Sequence, residues 1–139
     1  MSSLKTAFSG YVRYKGRAGH WAFLLHRITG LGTLLFLTIH IVDTSFVYFA
    51  PQLYEQWIVI YRNPLFMVGE ILLVFSLIYH GVNGLRITIF DLWKPEWWEI
   101  HDERKSVLLT LIVAIVLWLP AASIMGYKLL KYGFGFFGG

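Results

Sequence analysis

The sequence predicts an all-α integral membrane protein with three transmembrane helices, forming part of a multi-subunit helical bundle. Three observations predict it. Of the 139 residues, 57% are hydrophobic and only 14% are charged, whereas a soluble domain carries about 25% charged residues. The deficit is concentrated in three long stretches, which marks membrane spans and not one globular core. Four ionisable residues, His40, Asp43, Glu70 and His80, nevertheless fall inside those stretches. In lipid such groups are unfavourable by a few kcal/mol unless paired or ligated. They must face other helices or a cofactor, so partner chains are expected to complete the bundle.

Residues 1–22 read as a basic cytoplasmic segment without the apolar core of a signal peptide, hence as part of the mature chain. An anchor domain follows over 23–131, with spans at about 28–49, 65–90 and 107–127. Each has the ~20 residues needed to cross ~30 Å of hydrocarbon as a helix. Pro64 suits a helix start, because its missing N–H would lie in the unpaired first turn. Pro120 lies inside the third span and is expected to kink it. Residues 132–139 form a Gly-rich tail. No internal repeat or low-complexity segment interrupts the chain.

Aromatic rings gather at the span edges, where one end can stay apolar and the other meet water. Trp21, Trp93, Trp97 and Trp98 mark one face; Tyr48, Tyr54, Trp57, Tyr61 and Tyr132 mark the other. Basic residues divide unequally between the faces. Lys5, Arg13, Lys15, Arg17, Arg27, Arg86, Lys94, Arg104 and Lys105 belong to the first, against Arg62, Lys128 and Lys131 on the second. The positive-inside rule therefore predicts a cytoplasmic N-terminus and an external C-terminus, in the cell's inner membrane. The net charge of +4 reports this topology and gives no reason to expect nucleic-acid binding.

The chain has no cysteine. This excludes disulfides, iron–sulfur clusters held by its own thiolates and covalently attached c-type haem. A haem held by histidine stays open. His80 stands ten residues before Phe90, or ~15 Å below the cytoplasmic end of its span. His40 lies ~18 Å deep in the first span, or ~25 Å if that helix starts near Phe23. A difference in level of ~3–10 Å argues against both histidines gripping one iron. Each would pair with a histidine of another chain, His80 nearer the cytoplasm and His40 at a second haem nearer the outside. The alternative for each is an interhelical hydrogen bond. Gly84 lies one turn from His80, where it leaves room either for a flat macrocycle or for close helix packing. His101, in a charged loop, reads as solvated.

His26 and Arg27 stand where the first span enters the membrane. Arg27 keeps its charge and offers several donors, which suits a haem propionate or a quinone oxygen; the alternative is an arginine snorkelling to lipid headgroups. His26 and His40 are fourteen residues apart and share a face within ~40°. Asp43 and Glu70, each about five residues from the outer edge, are expected to approach one another. They serve either interhelical hydrogen bonding or proton transfer on the outer side, and a pH-independent Glu70→Gln variant would end the latter reading.

The run His26-Arg27-Ile28-Thr29-Gly30, together with His80-Gly81-Val82-Asn83-Gly84-Leu85-Arg86 and Asp91, closely resembles the cytochrome b membrane anchor subunits of succinate dehydrogenase (complex II). The resemblance extends from about Trp21 to the third span and includes the three-span layout. It implies an anchor that docks a flavoprotein subunit and an iron–sulfur subunit together with a second small anchor subunit. It also implies electron transfer from succinate to a membrane quinone, with FAD and iron–sulfur clusters confined to the partners. By resemblance His80 ligates haem b, and His26 and Arg27 line the quinone and haem-propionate region; Gly84 joins the haem site by its position one turn from His80. His26, Arg27 and Thr29 lie by the quinone, and the iron–sulfur partner docks near Trp21, Arg27 and Arg86. Relatives often carry a serine three residues before the His-Arg pair, where Phe23 stands here. His40 resembles the first-span ligand of two-haem members. Two rival classes remain: a structural anchor without haem, and a small transporter component, which the lack of a repeated glycine-broken helix pair disfavours.

Overall fold

The computed structural model describes residues 18–93, 95 and 100–135, with backbone alone for 100–103. Lys5, Arg13, Lys15, Arg17, Lys94, Trp97 and Trp98, with the side chain of His101, lie outside the described residues. The described chain is helical almost throughout: α1 is Ala18–Phe49, α2 Pro51–Tyr61, α3 Pro64–Trp93 and α4 Ile100–Lys128, followed by a π turn, Leu129–Gly133. Three helices are long and apolar enough to span a membrane, with mean hydropathies of 1.6, 1.9 and 2.6.

The helices outrun the expected spans. α1 starts at Ala18, not near Ile28, and α4 begins at Ile100, not near Val107. Hydropathy marks only the hydrocarbon-facing part, whereas a helix that bonds its own backbone can run on through the headgroup zone. α3 starts at Pro64, and the preceding Asn63 caps it: its side-chain oxygen accepts from the Leu65 amide at 2.9 Å. That satisfies one of the four donors left over at any helix start. α4 continues through Pro120.

An element absent from the three-span reading joins α1 to α3. Pro51 opens the eleven-residue α2, with its fixed φ suited to the first turn. Tyr54, Ile58 and Tyr61 recur at helical spacing on the half-buried face, while Gln52, Glu55 and Gln56 are exposed. Such a pattern describes an amphipathic helix lying over the end of the spans opposite Ala18.

α3 occupies the middle, packed against α1 on one side and α4 on the other. α1 and α3 run antiparallel: Gly30 meets His80, Gly32 meets Ser76 and His26 meets Gly84. Across the other face Trp118 donates its indole N–H to the Ile71 carbonyl at 3.1 Å, and its ring meets Phe75 edge-on. Few side chains are fully enclosed. Among the described residues only Ala22, Thr29, Tyr79, Asn83, Phe90, Thr110 and Ala114 are buried, and most leucines, isoleucines and valines face outward. A soluble protein would expose polar atoms there; here the outward surface fits lipid and other helices.

Candidate functional site

A close α1–α3 contact is built from two histidines and two glycines. His26 and Gly30 are one turn apart on α1, and His80 and Gly84 one turn apart on α3, so each pair shares a helix face. The antiparallel register sets each histidine against the other helix's glycine. A Cβ on Gly30 would lie 2.9 Å from His80 Cε1, too close for any real side chain. A side chain at position 30 would force the His80 ring to shift. The imidazoles of His26 and His80 lie nearly parallel, 9° apart in plane and 4.1 Å between centroids.

His80 Nδ1 lies 3.1 Å from the His26 carbonyl oxygen. A carbonyl only accepts, so Nδ1 carries the proton and Nε2 keeps its lone pair. This is the tautomer that metal-ligating histidines use: the far nitrogen donates to a backbone carbonyl, which fixes the ring and raises its basicity. His80 makes no other hydrogen bond within the described chain. The His26 Nδ1 atom is itself buried and has no hydrogen-bond partner. A buried, unsatisfied nitrogen beside an imidazole poised for ligation fits a haem edge or another polar ligand arriving from outside this chain.

The remaining expected residues distribute as follows. Gly84 touches only His26, at an ordinary 3.8 Å from its would-be Cβ. Within this chain the steric demand therefore falls on Gly30. Arg27 is exposed and lies over the Phe23 ring at 4.5 Å, a cation–π contact. Phe23 is thus the platform for the arginine. Thr29, expected beside a quinone, is a buried residue of α1. It is only 2% exposed, and its hydroxyl donates back to its own helix, 2.7 Å from the Leu25 carbonyl and 3.1 Å from that of His26. Arg86 donates to buried Asn83 at 3.0 Å and packs over Phe90.

His40 stands apart. It is exposed and stacks on Phe36. Ten residues separate it from Gly30, which is level with His80, so the two histidines differ by ~15 Å along the axis. That gap exceeds the ~3–10 Å expected from the sequence, because α1 begins well before Ile28. His40 lines a cavity of about 670 Å³ at the α2 end with Asp43, Tyr61 and Glu70. The Tyr61 hydroxyl donates to Asp43 at 2.5 Å. Burial, that hydrogen bond and the charges of Asp43 and Glu70 push the Tyr61 phenol up to about 12. Asp43 and Glu70 do line one cavity, and Tyr61 joins them.

Sequence reasoning did not single out Gly30, Asn83 or Tyr61. Gly30 and Asn83 lay inside the quoted runs, but their roles depend on register. Tyr61 had been assigned to the interfacial belt. Its place seven residues after Tyr54, on a helix opened by Pro51, was the available signal.

Three apolar spans, a scant internal core and a half-buried histidine pair stacked between two of them define a multi-pass membrane subunit built to be completed by other chains. The family model for succinate dehydrogenase/fumarate reductase transmembrane subunits matches residues 7–121, and the chain belongs to that family. It is also 27% identical over 121 residues to the succinate dehydrogenase 2 membrane subunit SdhC of Mycobacterium tuberculosis, covering 86% of this chain and 85% of that one.

Proposed function

We propose that this chain is the haem b-binding membrane anchor of a succinate:quinone oxidoreductase. It docks the iron–sulfur and flavoprotein subunits beside a second small anchor subunit and helps form the quinone site. The observation that carries this reading is the His80 Nδ1–His26 carbonyl hydrogen bond, because it leaves Nε2 available inside the membrane. His80 would hold the haem iron through Nε2, together with a residue of the partner anchor. Haem b, when bound, would supply a one-electron redox centre within the bilayer.

This chain's own residues have three tasks. The α1 turn from His26 to Gly30 orients the His80 ring and fixes its tautomer. His26 Nδ1, Arg27 and Arg86 present polar groups to propionate or quinone oxygens at the cytoplasmic end, where Arg27 donates hydrogen bonds while keeping its own proton. Thr29 is better suited to stiffening the helix pair, since its hydroxyl proton is already used. The lipid-facing span surfaces exclude water from the pair. The asymmetry of Lys and Arg supports a cytoplasmic N-terminus in the inner membrane. His40 is retained as the ligand of a possible second, outer haem, its ring being exposed.

The test is a reduced-minus-oxidised spectrum of the purified complex with His80→Ala. Loss of a haem b signal is expected, and an unchanged spectrum would refute the ligand assignment. His40→Ala separates one haem from two by halving the signal or leaving it intact. The same His80–His26 bond favours a second reading, an anchor without haem, since it would pin α1 to α3 unaided. A wild-type complex with no haem absorption would establish that reading.

A further inference from the structure

The threonines of these helices follow one rule, with one exception. The hydroxyls of Thr33, Thr38, Thr44, Thr88 and Thr110 each donate to the single carbonyl four residues earlier, at 2.8, 2.8, 2.6, 2.9 and 2.8 Å. That is the ordinary back-bond of a helical threonine. Thr29 adds a second acceptor: its hydroxyl reaches the Leu25 carbonyl at 2.7 Å and the His26 carbonyl, three residues earlier, at 3.1 Å. It is also more enclosed than the others, at 2% exposed, where solvent does not compete for its proton.

The added acceptor is the carbonyl that holds His80 Nδ1 at 3.1 Å. Three donors therefore converge on one oxygen: the Gly30 amide of the helix ladder, the Thr29 hydroxyl and the His80 ring. A carbonyl oxygen has two lone pairs. With the helix amide fixed in place, hydroxyl and imidazole divide what is left. The close approaches of Gly30 to His80 and of Gly32 to Ser76 set the spacing of α1 and α3 here, so that spacing does not depend on the hydroxyl.

We propose that Thr29 is a positioning residue that weakens the His80 Nδ1–His26 carbonyl bond and so sets how strongly Nε2 donates to what it ligates. A hydrogen bond at the far nitrogen raises the basicity of a ligating imidazole, and a rival donor on the same carbonyl lowers it again. Stronger donation favours the higher oxidation state of an iron held at Nε2, so the Thr29 hydroxyl keeps the midpoint potential of such a centre up. This consequence rests on the ligation of haem by His80 proposed above; the competition for the carbonyl does not.

Two variants separate the proton from the packing. Thr29→Val keeps the shape and removes the hydroxyl proton, whereas Thr29→Ser keeps the proton and removes the methyl. Redox titration of the haem b band in the purified complex is expected to give a lower midpoint potential for Thr29→Val and the wild-type value for Thr29→Ser. The second readout is the His80 Nδ1–H proton resonance in magic-angle-spinning NMR of the complex with isotope-labelled histidine in this subunit, assigned by its loss in His80→Gln. With or without haem, it is expected to move downfield in Thr29→Val and to stay in place in Thr29→Ser. A resonance at the wild-type position in Thr29→Val, a shift shared by both variants, or an unchanged or raised potential in Thr29→Val overturns the proposal. A wild-type complex without haem defeats the ligand assignment instead, and the resonance then decides the proposal alone. Should Thr29→Val fail to assemble, Thr29→Ala, which also lacks the proton, takes its place.

Discussion

A methyl group at Gly30 would stand 2.9 Å from His80 Cε1, so one carbon is enough to disturb the seat of the imidazole. Gly30→Ala is expected to destabilise the helix pair by about 1–3 kcal/mol and to shift or weaken the haem b band. Gly81→Ala, with nothing within 4 Å of its Cβ, should leave both unchanged; thermal melts and spectra of the two complexes check this. Tyr61 gives a pH-dependent counterpart. Its folded pKa, pushed up to about 12, lies above the ordinary value of about 10, so folding favours the protonated phenol. Its contribution is full below pH ~10 and fades as pH rises toward ~12. Wild type should therefore lose more stability than Tyr61→Phe across that window, as measured by melts from pH 9 to 12. The chemical identity of His80 was legible in the sequence, because an imidazole inside an apolar run demands a reason. Its partner was not: contact with the His26 carbonyl depends on how α1 and α3 slide past each other, and no single-helix pattern encodes that.

Among the elements, the spans were legible because twenty apolar residues have one stable solution in lipid. Their ends were not, since backbone bonding carries a helix past the hydrocarbon edge. α2 was hidden for a related reason. Its eleven residues mix Trp57, Ile58 and Ile60 with Gln52, Glu55 and Gln56, so an averaging window dissolves it into its neighbours. The Asn63 cap that follows is a local device with a local test. Asn63→Ala removes the acceptor for the Leu65 amide and should cost about 1 kcal/mol, seen as a lower melting temperature with the spectrum at the His80 end unaltered. A change in the signal at the His80 end would instead mean that the two ends of the spans are coupled.

For the whole molecule, the absence of cysteine makes orientation directly measurable. A single cysteine at Gln56 should react with an impermeant maleimide from outside intact cells, whereas one at Arg104 should react only after permeabilisation. The reverse pattern would invert the topology. The class of protein was legible in the whole-chain pattern of charge and hydropathy, but the extent of its dependence on other subunits became visible only from the structure. With only seven side chains enclosed among the described residues, tolerance to mutation becomes a map of the neighbours. Exchanging one outward aliphatic for another should be silent wherever fluid acyl chains can refit around it, and harmful wherever a rigid protein surface has been moulded to its shape. A saturation scan along the three spans would thereby trace the outline of the missing companions without any of them being seen.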